Sequence, residues 1–357
     1  MLAVALLSVS LLKAQEAVAF DIGPPPTRNM FPMLQAPMVY EPQSPFLVGS
    51  GHWRFSIQVV EANVLELSPY VNDFVHWGLS DRRVMSNAFF NTILNNGHWD
   101  SNVPFIDYFD EEITRTQFQA RTGVGAATDV WVQLNADRHW GGFMDGLAEA
   151  AHRMTGSNQL DRRLLARDQT VVAIGGDGNI TTYSQGDLPV QVQDPLAGVV
   201  HQLARGAHSG LDLMVACKPS LTKAYNQWKS GFDVQGGLGG WWKRGDNTFL
   251  YGGAYTHRGK GNAAYQAIQY SGDFGTHLGW QGRNHARVQP FFELYWLSGF
   301  AHPPVYTMYH KASLQHDVGF HWFLTSSTAF TFRYVNNITE NGNTDDFQLA
   351  AGLTWHF

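Results

Sequence analysis

The sequence has few charged residues and no excess of positive charge. Asp, Glu, Lys and Arg make up 15% of its 357 residues, and the formal net charge is −6. A typical soluble domain has about 25% charged residues, and a nucleic-acid-binding surface needs Lys and Arg to neutralise phosphates. The composition therefore argues against a nucleic-acid partner and is unusual for a soluble domain.

Long hydrophobic runs and cysteine pairs are also missing. Beyond the N-terminal region, no apolar run reaches the roughly 18 residues of a transmembrane helix, which excludes a helical membrane protein. The single cysteine, Cys217, allows no internal disulfide, and its alternating surroundings indicate a buried or lipid-facing small apolar residue. A water-soluble β protein and a membrane β-barrel remain as alternatives.

Motifs for catalysis and metal binding are absent. The 15 histidines form neither H-E-x-x-H nor a Cys/His cluster, and G-x-S-x-G does not occur. Two pairs, Ser313 with His310 and Ser298 with His302, are the candidates for a lipid-modifying enzyme, but ordinary polar residues at a membrane boundary are the favoured interpretation. We therefore predict no catalytic residue, no metal site and no cofactor.

What the sequence does contain is alternation of apolar with small or polar residues, most clearly at the C-terminus. Such a period of two predicts a β-strand. The apolar set is Phe347, Leu349, Ala351, Leu353, Trp355 and Phe357. The terminal Phe357, with Gly352 and Trp355 before it, resembles the signal that passes outer-membrane barrels to their assembly machinery. We expect the remaining strands to close on this one.

Similar alternation divides the rest of the chain into strands. The predicted strands are 52–67, 111–124, 128–139, 193–205, 209–219, 230–244, 247–257, 263–282, 286–299, 311–324, 327–338 and 345–357. Twelve strands without hydrophobic helices predict an all-β fold, a single antiparallel transmembrane β-barrel. The count rises to fourteen if the run from Arg82 to Leu94 forms an extra hairpin in the wall.

Three regions follow from these patterns. Residues 1–19 are predicted to be a signal peptide, because a short apolar run ends near Ala17-Val18-Ala19. Residues 20–50 are too rich in proline for a helix or central strand, which predicts an extended lead-in or plug segment. Residues 51–357 form the barrel, with long loops at 68–110 and 140–192, and Phe143 to Thr155 have the apolar spacing of an amphipathic helix.

Nine charged residues within the predicted strands share the face opposite the lipid-facing apolar groups. Inside a membrane such charges are tolerated only if they are solvated or paired. The candidate lumen-lining residues are Arg115, Arg121, Asp137, Asp212, Lys218, Asp233, Glu293, Asp317 and Arg333. They can line an aqueous path, or they can pair across the bore and close it.

Three stretches resemble DUF3187, a family of uncharacterised Gram-negative outer-membrane β-barrel proteins. They are Arg28-Asn29-Met30-Phe31-Pro32-Met33-Leu34-Gln35, then Arg138-His139-Trp140-Gly141-Gly142-Phe143-Met144-Asp145-Gly146, and Leu250-Tyr251-Gly252-Gly253. The resemblance implies an outer-membrane barrel with a helical loop insertion, and it implies no activity.

The leading hypothesis is a porin-like channel for small or amphipathic solutes in the cell outer membrane of a Gram-negative bacterium. Its expected partners are outer-membrane lipids, the barrel-assembly machinery through Gly352, Trp355 and Phe357, and a small-molecule solute of unknown identity. The alternatives are a closed structural or envelope-interaction barrel and an outer-membrane lipid-modifying enzyme.

Overall fold

A computed structural model describes residues 20–26, 29–35, 37–68, 71–72, 75, 79, 82–95, 105–155, 164–176, 179–221, 231–261, 272–284, 286–299, 311–339 and 347–357. The predicted signal peptide lies outside these residues.

The described residues form fifteen strands, two α-helices and a short 3-10 turn, Pro32–Leu34. The strands are β1 (Trp53–Leu67), β2 (Phe105–Gly123), β3 (Thr128–Trp140), β4 (Val171–Gly176), β5 (Asn179–Gln185), β6 (Gln191–Val192), β7 (Leu196–Arg205), β8 (Ser209–Lys218), β9 (Asp233–Arg244), β10 (Asn247–His257), β11 (Gly272–Gln281), β12 (Val288–Leu297), β13 (Ser313–Phe323), β14 (Thr328–Asn337) and β15 (Phe347–His356). The helices are α1 (Asn87–Asn95) and α2 (Asp145–Thr155).

Twelve of these strands form a closed antiparallel barrel, which confirms the predicted fold class. The wall runs in the order β1, β2, β3, β7 and then β8 to β15. The C-terminal strand closes it, because β15 pairs with β1 from Arg54↔His356 to Asn63↔Phe347. Strands β4, β5 and β6 lie outside this ring of twelve.

The two ends of the barrel differ. At one end, which we call the turn end, short connections such as 206–208 and 245–246 join neighbouring strands. At the opposite loop end, β3 and β7 are separated by residues 141–195, which include α2 and three short strands. Outer-membrane barrels have the same asymmetry, with short periplasmic turns and longer extracellular loops.

Alternation along the strands places polar side chains inside the wall and apolar side chains outside. In β3, Asp129, Gln133 and Asp137 are at most 1% exposed, whereas Val132 is 41% and Leu134 46% exposed. A water-soluble barrel has the opposite arrangement. The outer surface therefore has the apolar character of a wall that faces lipid.

The loop-end extension differs from the prediction. Residues 87–95 form α1 and add no hairpin to the wall, so the fourteen-strand alternative is wrong. Phe89, Phe90 and Ile93 have helical spacing, and Phe90 packs in a buried cluster with Tyr108 and Val171. Strand β2 begins at Phe105, inside the predicted loop 68–110, and the β4–β5 hairpin occupies a region without predicted strands.

This extension forms a second small core, which we call the outer lobe. It contains α1, β4, β5 and the loop-end parts of β1 and β2. Leu67 and Tyr108 contribute to it from the outward alternation of β1 and β2, and they are 3% and 1% exposed. Within the described residues, neither helix has the length and apolar character needed to cross a membrane.

Candidate functional site

The nine predicted lumen-lining residues all lie on the inward alternation of the wall and are at most 3% exposed. They are Arg115, Arg121, Asp137, Asp212, Lys218, Asp233, Glu293, Asp317 and Arg333. The barrel thus places a large set of ionisable groups in its interior. That they line a conducting path stays a prediction.

Strands β2 and β3 hold two ion pairs. Arg115 and Asp137 are opposite each other in the strand register. The Arg115 Nε and Nη2 atoms donate to the two Asp137 carboxylate oxygens at 2.7 and 2.6 Å. Nearer the turn end, Arg121 Nε donates to Asp129 Oδ2 at 2.7 Å. Asp129 is not among the predicted lumen-lining residues, although it shares the alternation of Asp137.

Two more pairs lie at the loop end. Lys218 Nζ is 3.5 Å from Asp233 and 3.4 Å from Asp194. Arg258 forms an ion pair with Asp273. The prediction missed this pair because Arg258 lies one residue beyond the end of β10, where strand alternation no longer assigns a direction.

A third group joins β12, β13 and β14. Glu293 and Asp317 are opposite each other in the register, so two buried carboxylates face one another. Arg333 Nη1 donates to Asp317 at 3.0 Å. Asp212 is opposite Gln202 and Gly239 in the register, and no cation among the described residues lies within salt-bridge distance of it.

The lead-in segment, residues 20–50, passes through this interior. At the turn end, Phe20 packs against Phe323 and His356 at ring-centroid distances of 5.5 and 5.1 Å. The chain rises to the 3-10 turn Pro32–Leu34 at the loop end, then returns to Ser50, which bridges to Gly123 at the end of β2. The segment thus enters and leaves the barrel at the same end.

Side chains of the wall provide the hydrogen bonds that this irregular backbone lacks. Arg121 Nη1 donates to the Ser44 carbonyl oxygen at 2.6 Å, and Arg333 Nη2 donates to the Pro26 carbonyl oxygen at 3.4 Å.

The backbone of the lead-in segment also donates hydrogen bonds to the wall. The Met38 amide donates to Asp233 and the Val48 amide donates to Asp129, each at 2.8 Å. Buried peptide groups need such partners, and proline reduces the number of N–H groups to be satisfied.

Apolar contacts fill the loop end of the lumen. Met30, Phe31 and Leu34 are at most 1% exposed and pack in one cluster with Phe109 and Ile113 of β2. The rings of Phe31 and Phe109 meet edge to face with centroids 5.4 Å apart. This apex of the lead-in segment excludes water from its surroundings.

Midway along the barrel, Tyr40 fits the wall closely. Its hydroxyl is 2.7 Å from His277 Nδ1, and the Tyr295 hydroxyl donates to the Tyr40 carbonyl oxygen at 2.5 Å. A Cβ atom at Gly275 would lie 2.4 Å from the Tyr40 Cβ, and one at Gly252 would lie 2.8 Å from the Tyr40 hydroxyl oxygen. These two glycines of the wall leave the space that Tyr40 occupies.

Two cavities lined by described residues lie towards the turn end. A cavity of about 350 Å³ is lined by residues that include Phe20, Phe46, Arg54 and His356. A smaller cavity of about 60 Å³ lies beside Pro24, Gln43 and Arg121. Among the described residues, the lumen is therefore packed with apolar side chains at its loop end and has more open space at its turn end.

The residues of the predicted assembly signal lie on the closing strand. Gly352 is opposite Gln58 of β1 and Thr331 of β14. Trp355 is opposite Phe55, and the Phe357 backbone exchanges two hydrogen bonds with Trp53 at 2.9 and 3.0 Å. Their role in assembly stays a prediction.

The candidate enzyme pairs gain little support. His302 and His310 lie outside the described residues. Ser313 is 2% exposed on the inward alternation of β13, and Ser298 Oγ accepts a hydrogen bond from the Phe274 amide. The inward position of Ser313 does not suit a nucleophile on the lipid-facing wall.

A closed twelve-stranded wall, polar inside and apolar outside, defines a β-barrel of the outer-membrane type. The sequence matches the family described as "Protein of unknown function (DUF3187)" over residues 1–357. The chain belongs to this family. The comparison with curated proteins found no match.

Solved outer-membrane barrels have similar folds at low sequence identity. The NanC porin is 8% identical, with 68% of this chain and 93% of the porin covered and a TM-score of 0.41. The translocator domain of the autotransporter NalP from Neisseria meningitidis is 9% identical, with coverages of 87% and 89% and a TM-score of 0.41. A Pseudomonas aeruginosa FadL homologue is 7% identical, with coverages of 85% and 88% and a TM-score of 0.35.

Proposed function

We propose that this protein is a gated, porin-like channel for small or amphipathic solutes in the outer membrane of a Gram-negative bacterium, with the lead-in segment as its plug. The observation that carries the proposal is the direction of the wall ion pairs. Arg115–Asp137, Lys218–Asp233 and Arg333–Asp317 each join neighbouring strands. The charges of these three pairs therefore remain paired without crossing the bore.

The contacts of the plug fit a segment that can leave. Arg121 and Arg333 contact it through peptide carbonyl oxygens, and each keeps its own carboxylate partner in the wall. Water can replace those carbonyl oxygens at little net cost, because an exchanged hydrogen bond contributes only about 1 kcal/mol. Once the plug is displaced, the bore has a polar lining, as in a water-filled barrel.

Membrane location has separate support. Outward side chains such as Ile57, Val59, Phe118 and Leu134 are 39–46% exposed, and an apolar belt of this kind is costly in water but not in lipid. The proposed route to the membrane is recognition of the C-terminal strand, with Gly352, Trp355 and Phe357, by the barrel-assembly machinery.

The test is conductance in a planar lipid bilayer before and after removal of the plug. A protease site inserted at the exposed residue Gly51 allows the lead-in segment to be cut after the barrel has folded. We expect the intact chain, beginning at Phe20, to be mostly closed, and the cleaved chain washed with dilute urea to show steady current steps. A matched control has the same insertion in the 245–246 turn.

Retention of the fold is checked by heat-dependent migration on gels. Silence from a cleaved, folded barrel whose lead-in segment has been washed out would rule out the channel.

The charges of the opened pore should determine its selectivity. Reversing Arg115 and Arg121 to Glu should shift ion selectivity towards cations, while Arg138→Glu on the outer face should leave it unchanged. Arg138 is the matched control because its side chain is 46% exposed on the outward alternation of β3. Unchanged selectivity in the interior variants would remove those residues from the conducting path.

The apolar apex favours one alternative, a permanently closed barrel that anchors the outer lobe. Phe31 and Leu34 are fully buried in the lumen, and removing such side chains from their contacts costs several kcal/mol. The same recordings separate the two functions, since an anchoring barrel stays silent after cleavage.

A further inference from the structure

Helix α2 packs against the outside of the barrel wall. Met144, just before the helix, and Ala148 within it are buried and form a cluster with Phe347, Tyr334 and Leu349. These three wall residues alternate with the inward residues Gln348, Ala350 and Arg333, so they occupy the outward face of β14 and β15. The helix therefore covers part of the surface that faces lipid elsewhere.

Polar contacts fix the N-terminal end of α2 on the same outward face. Glu112 of β2 accepts a hydrogen bond from the Met144 amide. Asp145 accepts from Asn63 Nδ2 at 3.1 Å and from the Asp168 amide at 2.7 Å. Two carboxylates at the positive end of a helix dipole stabilise the helix as well as its orientation.

A different side of α2 faces the outer lobe. Glu149 is 2% exposed, and its carboxylate accepts hydrogen bonds from Arg82 Nη2 at 2.9 Å and from Arg167 Nε at 3.0 Å. Arg82 also donates to the Leu165 carbonyl oxygen at 2.9 Å, which ties this contact to the lobe.

The remaining edge is apolar and uncovered. Phe143, just before the helix, is 56% exposed, and Leu147 is 50% exposed. Leu147 precedes Glu149 by two residues, which places it about 200° away around the helix axis. The uncovered edge therefore points away from the contact with the outer lobe, and at this edge the ring of Phe143 lies 6.3 Å from the ring of Trp140, which is on β3 of the wall.

The height of α2 on the wall matches the edge of a bilayer. The apolar band of such a barrel is about 25 Å tall, and a strand tilted by about 40° crosses it in about ten residues. Counted from Trp53, which stacks on Phe55 with ring centroids 5.6 Å apart, ten residues reach Asn63, where α2 is hydrogen-bonded.

Trp140 marks the same boundary. It is on the outward alternation of β3, and its Nε1 donates to Glu61 at 3.0 Å. The Arg138 guanidinium lies 4.4 Å from the centroid of the Trp140 ring. Aromatic and basic side chains of this kind anchor proteins at the membrane surface.

We propose that α2 is a membrane-interface helix, with Phe143 and Leu147 in contact with the acyl chains of the loop-end leaflet. The occupant is lipid because the uncovered edge continues the lipid-facing wall at the level of Trp140. The proposal rests on the membrane location proposed above but is independent of channel activity.

The test places a nitroxide label at Leu147→Cys in the full chain, with Cys217→Ala to remove the native thiol. The protein is reconstituted in vesicles of phosphatidylethanolamine and phosphatidylglycerol. Collision rates with oxygen, which concentrates in lipid, and with a water-soluble nickel chelate are then measured. Leu134→Cys on the lipid-facing wall is the lipid reference, and Arg153→Cys, 60% exposed on the same helix, is the matched water reference.

We expect the oxygen-to-nickel collision ratio at 147 to approach that at 134 and to exceed that at 153 several-fold. A ratio equal to that at 153 would overturn the proposal, and so would spin–spin broadening at 147, which would indicate a second copy of the chain.

Phe143→Cys repeats the measurement if Leu147→Cys does not fold, as judged by heat-dependent gel migration. A lipid-like signal at Leu134→Cys shows membrane insertion even when no conductance is found, so failure of this proposal is distinguishable from failure of the channel.

Discussion

The charged groups inside the barrel and those around Glu149 are organised differently. Inside, the guanidinium group of each ion pair has one carboxylate partner: Arg115 has Asp137 and Arg333 has Asp317, all at most 1% exposed. Outside, Glu149 alone is contacted by three arginines, Arg82, Arg153 and Arg167, which are 34–60% exposed.

This difference between the interior pairs and the outer cluster shows where charge is essential to the fold. A desolvated pair has no substitute when one partner is removed, so the other charge remains buried and unpaired. A carboxylate shared by three partly solvated arginines loses little when one of them is removed. We therefore expect the interior to be sensitive to single substitutions and the outer cluster to be tolerant of the loss of any one of its arginines.

The largest effect is expected for Arg115→Met. It leaves the Asp137 carboxylate buried, which should lower the free energy of unfolding by about 3–5 kcal/mol. Urea unfolding in lipid vesicles measures the change. Most of the loss should be recovered in Arg115→Met/Asp137→Leu, which removes both charges. If the double variant is no more stable than the single one, the one-to-one description of the interior is wrong.

The next effect concerns the apolar contacts that hold the plug. Phe31→Ala should lower the free energy that holds the plug in the lumen by about 3 kcal/mol, because a fully buried ring is lost. Phe46→Ala is the matched control, since Phe46 is 8% exposed and borders the turn-end cavity. Two measurements report the weaker binding of the plug. One is the rate at which protease cuts the Gly51 insertion, and the other is the frequency of channel opening in bilayers. Equal effects of the two variants would contradict the conclusion that the plug excludes water at its apex and is more hydrated beside the turn-end cavity.

A pH-dependent effect is expected in the outer cluster. The hydrogen bonds from Arg167 and Arg82 lower the pKa of Glu149 from 4.5 to about 2. Because the folded-state pKa is depressed, the stabilisation is present above pH 4.5 and is lost as pH falls towards 2. The nitroxide at Leu147→Cys should become more mobile over this range, and Glu149→Gln should produce the mobile spectrum at pH 7. A spectrum that does not change with pH would show that Glu149 does not hold α2.

The smallest effect is expected for Arg153→Gln. Arg153 lies 3.7 Å from Glu149 and is 60% exposed, so its loss should change the free energy of unfolding by about 0–1 kcal/mol. The same urea experiment applies, with Arg115→Met measured in parallel. A loss as large as that of the buried pair would remove the contrast between interior and outer cluster.

Alternation in the sequence was sufficient to predict the wall. Strand β10 was predicted at 247–257 and is found at Asn247–His257, and α2 was predicted from Phe143 and begins at Asp145. Both patterns are local, because the direction of each side chain follows from the repeat of its own segment. Alternation also separated inward Arg115 from outward Phe118, which are 1% and 39% exposed.

The hairpin considered as an alternative for residues 82–94 is wrong for a related physical reason. A short run such as Asn87 to Asn95 fits both a strand and a helix, and packing chooses between them. Here Phe90 and Ile93 are buried against β2 and β4 of the outer lobe, which favours the helix. No part of the segment itself indicated that this partner surface existed.

The sequence alone determined the barrel, its closing C-terminal strand and the inward direction of its charged side chains, because each depends on a repeat of two within one strand. Tertiary structure decided the partners. Strand register placed Arg115 opposite Asp137, and a one-residue shift would have separated them. Tertiary structure also decided the position of the lead-in segment. A proline-rich chain has no hydrogen-bonding pattern of its own, so its place is defined by the carboxylates, guanidinium groups and glycines of the wall that surrounds it.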